Sequence, residues 1–253
     1  MTIDTLPILY EEPHFLLVNK PAGLFTQAAP GVPSLEVQLS EQLKNRDQHP
    51  GRPFVGLPHR LDRATSGVLL VARNQRALAR FGQQFQSRKV EKYYVAVVEG
   101  ELPPGVQEWD DRMRKIPDRP QAEVVEPHVR DGKLARLRIE SLATGAGRTL
   151  AVVQLLTGRM HQIRMQTAHR GWPVVGDRLY GGQTLSAATT MPPSELREQP
   201  HALHAFRLGF FHPRSALRLS ISAPVPENWR DVLAADILDD VAGLVERSRL
   251  LAS

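Results

Sequence analysis

Three times along this chain, two short apolar or alternating runs are separated by little more than a turn. Residues 7–19 read as two strands around a turn at Glu12-Pro13. Runs 134–142 and 149–156 alternate well and are expected to pair antiparallel. Runs 202–211 and 217–223 flank a turn that contains proline. Strands joined this closely pair antiparallel, because a parallel neighbour needs a crossover of about a dozen residues or more. Strands outnumber helices, so the expected class is α+β: a mixed, largely antiparallel central sheet with flanking helices and loops.

The remaining segments fill in around these pairs. Ser34 is a plausible N-cap for a helix over 34–44. Residues 45–58 are rich in Pro, Gly and charge and read as a loop. The apolar run 68–72 reads as a buried strand. Asn74 can cap a helix reaching Ser87, with Ala77, Leu78, Phe81 and Phe85 on its apolar face. Residues 93–99 read as a strand, and 101–132, with many prolines and charges, as irregular. A helix is predicted over 160–169, ended by Gly171 and Pro173. Residues 181–200 read as a surface loop. Pro226 stands where a helix can begin, and 226–253 is expected to form a mostly helical tail. No flexible linker interrupts the chain, so residues 1–253 are read as one catalytic domain with a core at about 7–225.

Several function classes lack their sequence basis. There is no cysteine, hence no disulfide framework and no thiol chemistry. No phosphate-cradling glycine loop is visible, and no nucleophile elbow. The nine histidines show no ligand spacing, so neither a cofactor nor a metal is expected. No apolar run reaches the roughly 18 residues of a membrane span. The start, Met1-Thr2-Ile3-Asp4, does not resemble a signal peptide. A soluble cytoplasmic monomer is therefore expected. The net charge of +5 is unevenly spread: residues 59–92 hold eight basic and two acidic side chains, and 158–178 hold four and one. The rest is net acidic. Concentrated positive charge is the footprint of a polyanion binder.

The most informative stretch is Pro58-His59-Arg60-Leu61-Asp62-Arg63-Ala64-Thr65-Ser66-Gly67, just ahead of the buried run at 68–72. Asp62, flanked by Arg60 and Arg63, would be a carboxylate at neutral pH. It is available as nucleophile or base, or as a structural partner of an arginine. His59-Arg60-Leu61-Asp62-Arg63-x-Thr65-Ser66-Gly67 resembles the signature of pseudouridine synthases of the RluA type. Further blocks match in order: Asn19-Lys20-Pro21-Ala22-Gly23-Leu24, Lys92-x-Tyr94-x-Ala96-x-Val98, Thr157-Gly158-Arg159-x-His161-Gln162-Ile163-Arg164, Gly176-Asp177-x-x-Tyr180-Gly181, and Leu203-His204-Ala205 to His212-Pro213. The resemblance runs from about residue 7 to 225.

It implies an isomerase of uridine in structured RNA, ribosomal or transfer, that needs neither cofactor nor metal. Asp62 matches the essential carboxylate; attack at C1′, addition to C6 and abstraction of a ribose proton all stay open. Tyr94 matches the tyrosine that stacks on the flipped uracil, and Arg164 the arginine that pairs with the carboxylate. Arg60, Arg63, Arg76, Arg80, Arg88, Lys89, Lys92, Arg159 and His161 are the candidate RNA-binding residues. Arg159 and His161 are expected at a helix N-terminus, where phosphate is welcome. The chain departs from the family at Ala64, where an acidic residue is usual, and at Phe25-Thr26-Gln27. The resemblance also implies absence of the small N-terminal RNA-binding domain that many relatives carry. A non-catalytic RNA-binding protein with this fold is the main alternative. A glycoside hydrolase would want a second carboxylate beside Asp62.

Overall fold

The structure, a computed structural model, describes residues 5–48, 50–182, 200–215, 217–233 and 235–251. The expected loop at 181–200 lies almost wholly outside them. The chain divides into two compact units: residues 1–91 with 205–224, and 92–204 with 225–253. Among the described residues no helix is long and apolar enough to cross a membrane.

The first unit is built on hairpins. β1 (Ile8–Glu12) and β2 (Phe15–Lys20) pair antiparallel around the turn read from Glu12-Pro13. β2 pairs antiparallel with β3 (Ser66–Ala72). Every residue of β3 is buried, which explains why its apolar run is continuous instead of alternating. The glycine that opens it cannot be replaced. At Gly67, φ is +116°, and a Cβ would lie 2.3 Å from the Ala205 carbonyl oxygen. α1 (Leu35–Arg46) begins at Ser34, whose side chain accepts from Val37 N–H, and buries Leu35, Leu39 and Leu43 four residues apart. α2 (Gln75–Gln86) begins at Asn74, whose side chain accepts from Ala77 N–H at 2.9 Å. Its Phe81 meets Phe15 and Phe210 edge-on, at centroid distances of 5.4 and 5.8 Å.

In the second unit each described ladder is antiparallel, and the strand order departs from chain order. β4 (Glu91–Glu99) pairs with β8 (Arg148–Leu155), β8 with β7 (Lys133–Gly145), β7 with β5 (Val106–Lys115), and β5 with β6 (Ala122–Val125). α3 (Gln162–His169) packs on this ladder through Met165, which meets Met113, Ala122 and Ala135. β9 (Leu203–Phe211) starts in this unit and continues into the first, where β10 (Arg218–Ser222) pairs with it antiparallel.

Two expectations are corrected. Residues 101–132 are not irregular: they supply β5 and β6. Their charges sit opposite charges of the other sign on the neighbouring strand. Asp110 faces Arg136 and Arg114 faces Glu123, with ion-pair distances of 2.8 and 2.7 Å, and Glu108 faces Arg138 at 2.5 Å. Such cross-strand pairs stabilise a strand that has few apolar residues of its own; here Trp109 and Met113 supply the buried face. The helix expected from residue 160 starts at Gln162. The Gln162 side-chain oxygen accepts from Thr157 Oγ1 at 2.7 Å and Arg159 N–H at 3.0 Å, and the chain turns through His161 at φ 51°. The tail is helical in short pieces. It forms a 3-10 turn (Glu227–Asp231) and two short helices, α4 (Ala235–Asp239) and α5 (Val241–Glu246). Its two ends are tied down separately, by buried Trp229 and by the bonds of Arg249 N–H to Glu140 and of Tyr93 Oη to the Leu250 carbonyl.

Candidate active site

The Asp62 loop lies in the first unit and is bonded on both sides of Asp62. Before it, Leu61 N–H donates to Thr26 Oγ1 at 3.2 Å, and that hydroxyl donates to the Leu61 carbonyl at 2.8 Å. After it, the Arg63 carbonyl accepts from Gly23 N–H at 2.8 Å and Lys20 Nζ at 3.1 Å. Arg63 Nε donates to the Gly23 carbonyl at 2.8 Å, and its guanidinium lies over the Phe25 ring at 4.8 Å. Asp62 itself accepts Thr65 N–H on its carbonyl at 3.1 Å. His59 anchors the loop entrance, accepting Leu70 N–H on Nε2 and stacking on Phe85. Asp62 is half-buried, while Leu61, Ala64 and Thr65 are buried. Both departures from the family are thereby placed. Phe25 and Thr26 brace the loop, and Ala64 occupies a buried position where a charge would need its own partner.

Lys20 is the strongest electrostatic feature here. Its side chain is fully buried, and its ammonium donates to three carbonyls: Pro21 at 2.8 Å, Leu24 at 2.7 Å and Arg63 at 3.1 Å. Burial pushes it down from 10.5 to about 7; the Asp62 carboxylate opposes that fall and the Arg63 charge adds to it.

Tyr94 and Arg164 lie in the second unit. On β4, Tyr93 is buried and accepts from Gln154 Nε2 at 3.1 Å, while Tyr94 is half-buried. This alternation agrees with the choice of Tyr94 as the site residue of the pair. Arg164, on α3, forms a buried bidentate pair with Asp177, Nε to Oδ2 at 2.5 Å and Nη2 to Oδ1 at 2.8 Å. Its guanidinium lies over the Tyr180 ring at 5.2 Å. Tyr180 Oη accepts from Ala122 N–H at 2.8 Å and bonds His161 Nδ1 at 2.9 Å. Burial alone would raise the Asp177 carboxyl, but the Arg164 bonds and charge, with lesser help from His201 and His161, hold it below 3.8. The helix is held in turn by Gln166 and Arg170, both bonded to Asp111 of β5 at 2.6 and 2.8 Å.

The basic candidates separate by environment. Arg60, Arg76, Arg80, Arg88 and Lys89 are exposed in the first unit. Arg80 also donates to the Pro213 carbonyl, and Arg88 holds a left-handed backbone, φ 57°, just past α2. Arg63 is committed to the loop. In the second unit Lys92 donates to the Thr157 carbonyl at 3.2 Å, Arg159 to the Leu134 carbonyl at 2.8 Å, and His161 is engaged by Tyr180. Sequence reading gave no role to Lys20, Thr26, Asp177 or Tyr180. Three of them stood inside quoted motifs, and a lysine or aspartate beside a glycine turn was the available signal. Thr26 carried none. Among the described residues no cluster of His, Asp and Glu could hold a metal ion.

Comparison with known proteins identifies the lineage. A family model described as RNA pseudouridylate synthase matches residues 14–169. The chain is 39% identical over 246 residues to the ribosomal large subunit pseudouridine synthase D of Xylella fastidiosa, covering 96% of this chain and 72% of that protein. It is 33% identical to the ribosomal large subunit pseudouridine synthase C of Vibrio cholerae, covering 89% and 68%. Its fold matches that of human RNA pseudouridylate synthase domain containing 1, with a TM-score of 0.70 at 24% identity over 98% of each chain. The chain belongs to the RNA pseudouridylate synthase family.

Proposed function

We propose that this chain isomerises specific uridines of large-subunit ribosomal RNA to pseudouridine, with Asp62 as the essential carboxylate. The observation that carries the reading is the Asp62 loop: a carboxylate whose two neighbours are both bonded to buried side chains, Thr26 on one side and Lys20 on the other. Preorganised geometry of this kind is what a reacting group needs. The relatives named for the large ribosomal subunit support that RNA over transfer RNA. In the reaction the N1–C1′ bond breaks, a C5–C1′ bond forms, the C5 proton leaves and N1 gains one. Nothing is oxidised or reduced.

In this reading Tyr94 presents its ring to the flipped uracil, which lets the base turn between cleavage and rejoining. Arg164, oriented by its bidentate pair with Asp177, is the family's carboxylate-pairing arginine in this reading. The exposed Arg60, Arg76, Arg80, Arg88 and Lys89 contact backbone phosphates, with Lys92, Arg159 and His161 as weaker candidates because their side chains already have partners. In this reading residues 1–253 act as one catalytic domain of a monomeric protein.

Tritium release from RNA labelled at uridine C5 tests this, with ribosomal and transfer RNA transcripts side by side. Release from ribosomal RNA by the wild type and none by Asp62→Asn is the expected result. Release only from transfer RNA would move the substrate. Salt-sensitive binding without release from either RNA would favour the non-catalytic binding protein.

A further inference from the structure

We propose that Thr26 is a positioning residue for Asp62, transmitting the fixed position of helix α1 to the catalytic loop. The proposal rests on the reading of Asp62 as the reacting carboxylate. Thr26 belongs to the stretch where the chain departs from its family, so no family motif explains its place.

The Thr26 hydroxyl accepts from Leu61 N–H and donates to the Leu61 carbonyl. One side chain thus satisfies both backbone groups of the residue just before Asp62, as a neighbouring strand would. Thr26 is 4% exposed, so water does not compete for those bonds. Its own backbone is held by the first turn of α1: Leu35 N–H donates to the Phe25 carbonyl at 2.8 Å and Glu36 N–H to the Thr26 carbonyl at 3.3 Å. These N–H groups have no acceptor within the helix and are free to grip the segment. Phe25 braces the opposite side of Asp62 by lying under the Arg63 guanidinium. With Leu61 and Arg63 both immobilised, the backbone of Asp62 has little room to move. Removing the Thr26 hydroxyl leaves two buried backbone groups of Leu61 without their partner, and the loop must shift to satisfy them.

The test compares wild type, Thr26→Val, Thr26→Ser and Asp62→Asn in single-turnover tritium release at saturating RNA, alongside RNA binding. A displacement of about 1 Å costs on the order of 100-fold in rate, so Thr26→Val is expected to be about 10- to 100-fold slower. Its RNA affinity should stay within about twofold, and Thr26→Ser should recover most of the rate, because a positioning role rests on the hydroxyl and not on the methyl group. A wild-type rate in Thr26→Val, with Asp62→Asn inactive, would overturn the positioning role and leave the Asp62 reading standing. So would a Thr26→Ser variant as slow as Thr26→Val. If Thr26→Val does not fold, Thr26→Ala decides: slower turnover at unchanged affinity supports the positioning role, and an unchanged rate overturns it. No release by the wild type would overturn the Asp62 reading itself.

Discussion

Lys20 in the first unit and Arg164 in the second are both buried cations, and they are held in opposite ways. Lys20 gives its three N–H bonds to three neutral carbonyls. Arg164 gives two to one carboxylate, Asp177. Carbonyl dipoles replace only part of the water that an ammonium loses, so Lys20 is pushed down to about 7. A carboxylate returns a full opposite charge, and the Arg164 guanidinium in turn holds the Asp177 carboxyl below its usual range. The lesson concerns use. A cation on carbonyls ties backbone segments together and can lose its proton near neutrality. A guanidinium on a carboxylate keeps its charge at any ordinary pH, and the partner fixes its orientation.

The sharpest way to break the contrast is to remove that partner. Asp177→Ala takes a buried carboxylate away from the Arg164 guanidinium and should cost about 3–5 kcal/mol in urea unfolding. Replacing both, as Arg164→Met with Asp177→Leu, should recover much of that stability while turnover stays lost. A double variant as unstable as the single would show that loss of the pair, and not the guanidinium left behind, sets the cost. Lys20→Met should cost less, about 1–2 kcal/mol, because the lost bonds are offset by relief of a desolvated charge. Turnover should fall by at least about tenfold, since the Arg63 carbonyl loses a donor beside the reacting group.

The pH dependence separates the two cations further. Folded Lys20 titrates near 7 and the unfolded lysine near 10.5. Between those values the unfolded chain binds more protons, so raising the pH stabilises the folded state; below about 7 both forms are charged and the contribution is flat. Thermal melts from pH 7 to 9 should show wild type gaining on Lys20→Met. Asp177 works in the acid range. Its carboxyl lies below 3.8 when folded, so its contribution is full above that value and is lost as pH falls through the folded one. The smallest effect is expected on the charged ladder of β5. Arg136→Ala removes an exposed pair with Asp110, and its urea unfolding midpoint should be indistinguishable from wild type, most of all in high salt.

How much was legible in the residues differs by element. The hairpins at 7–19, 134–156 and 202–223 and the capped helices at Ser34 and Asn74 were readable, because alternation, turns and caps are local signals. β5 and β6 were not. Glu108, Asp110 and Arg114 look like loop residues until Arg138, Arg136 and Glu123 stand opposite them. Asp62, Tyr94 and Arg164 were picked out by motif. Thr26 was not, because its role is a contact across 35 residues of sequence.

By itself, then, the sequence determined the class of fold and the family and singled out Asp62, Tyr94 and Arg164 as the proposed site residues, since periodicity and motif spacing are written within short windows. Tertiary structure alone decided which groups hold those residues: Thr26 and Lys20 on the Asp62 loop, Asp177 and Tyr180 on Arg164. The physical reason is burial. A hydroxyl, an ammonium or a carboxylate becomes decisive only where water is excluded, and what excludes it comes from residues far away along the chain.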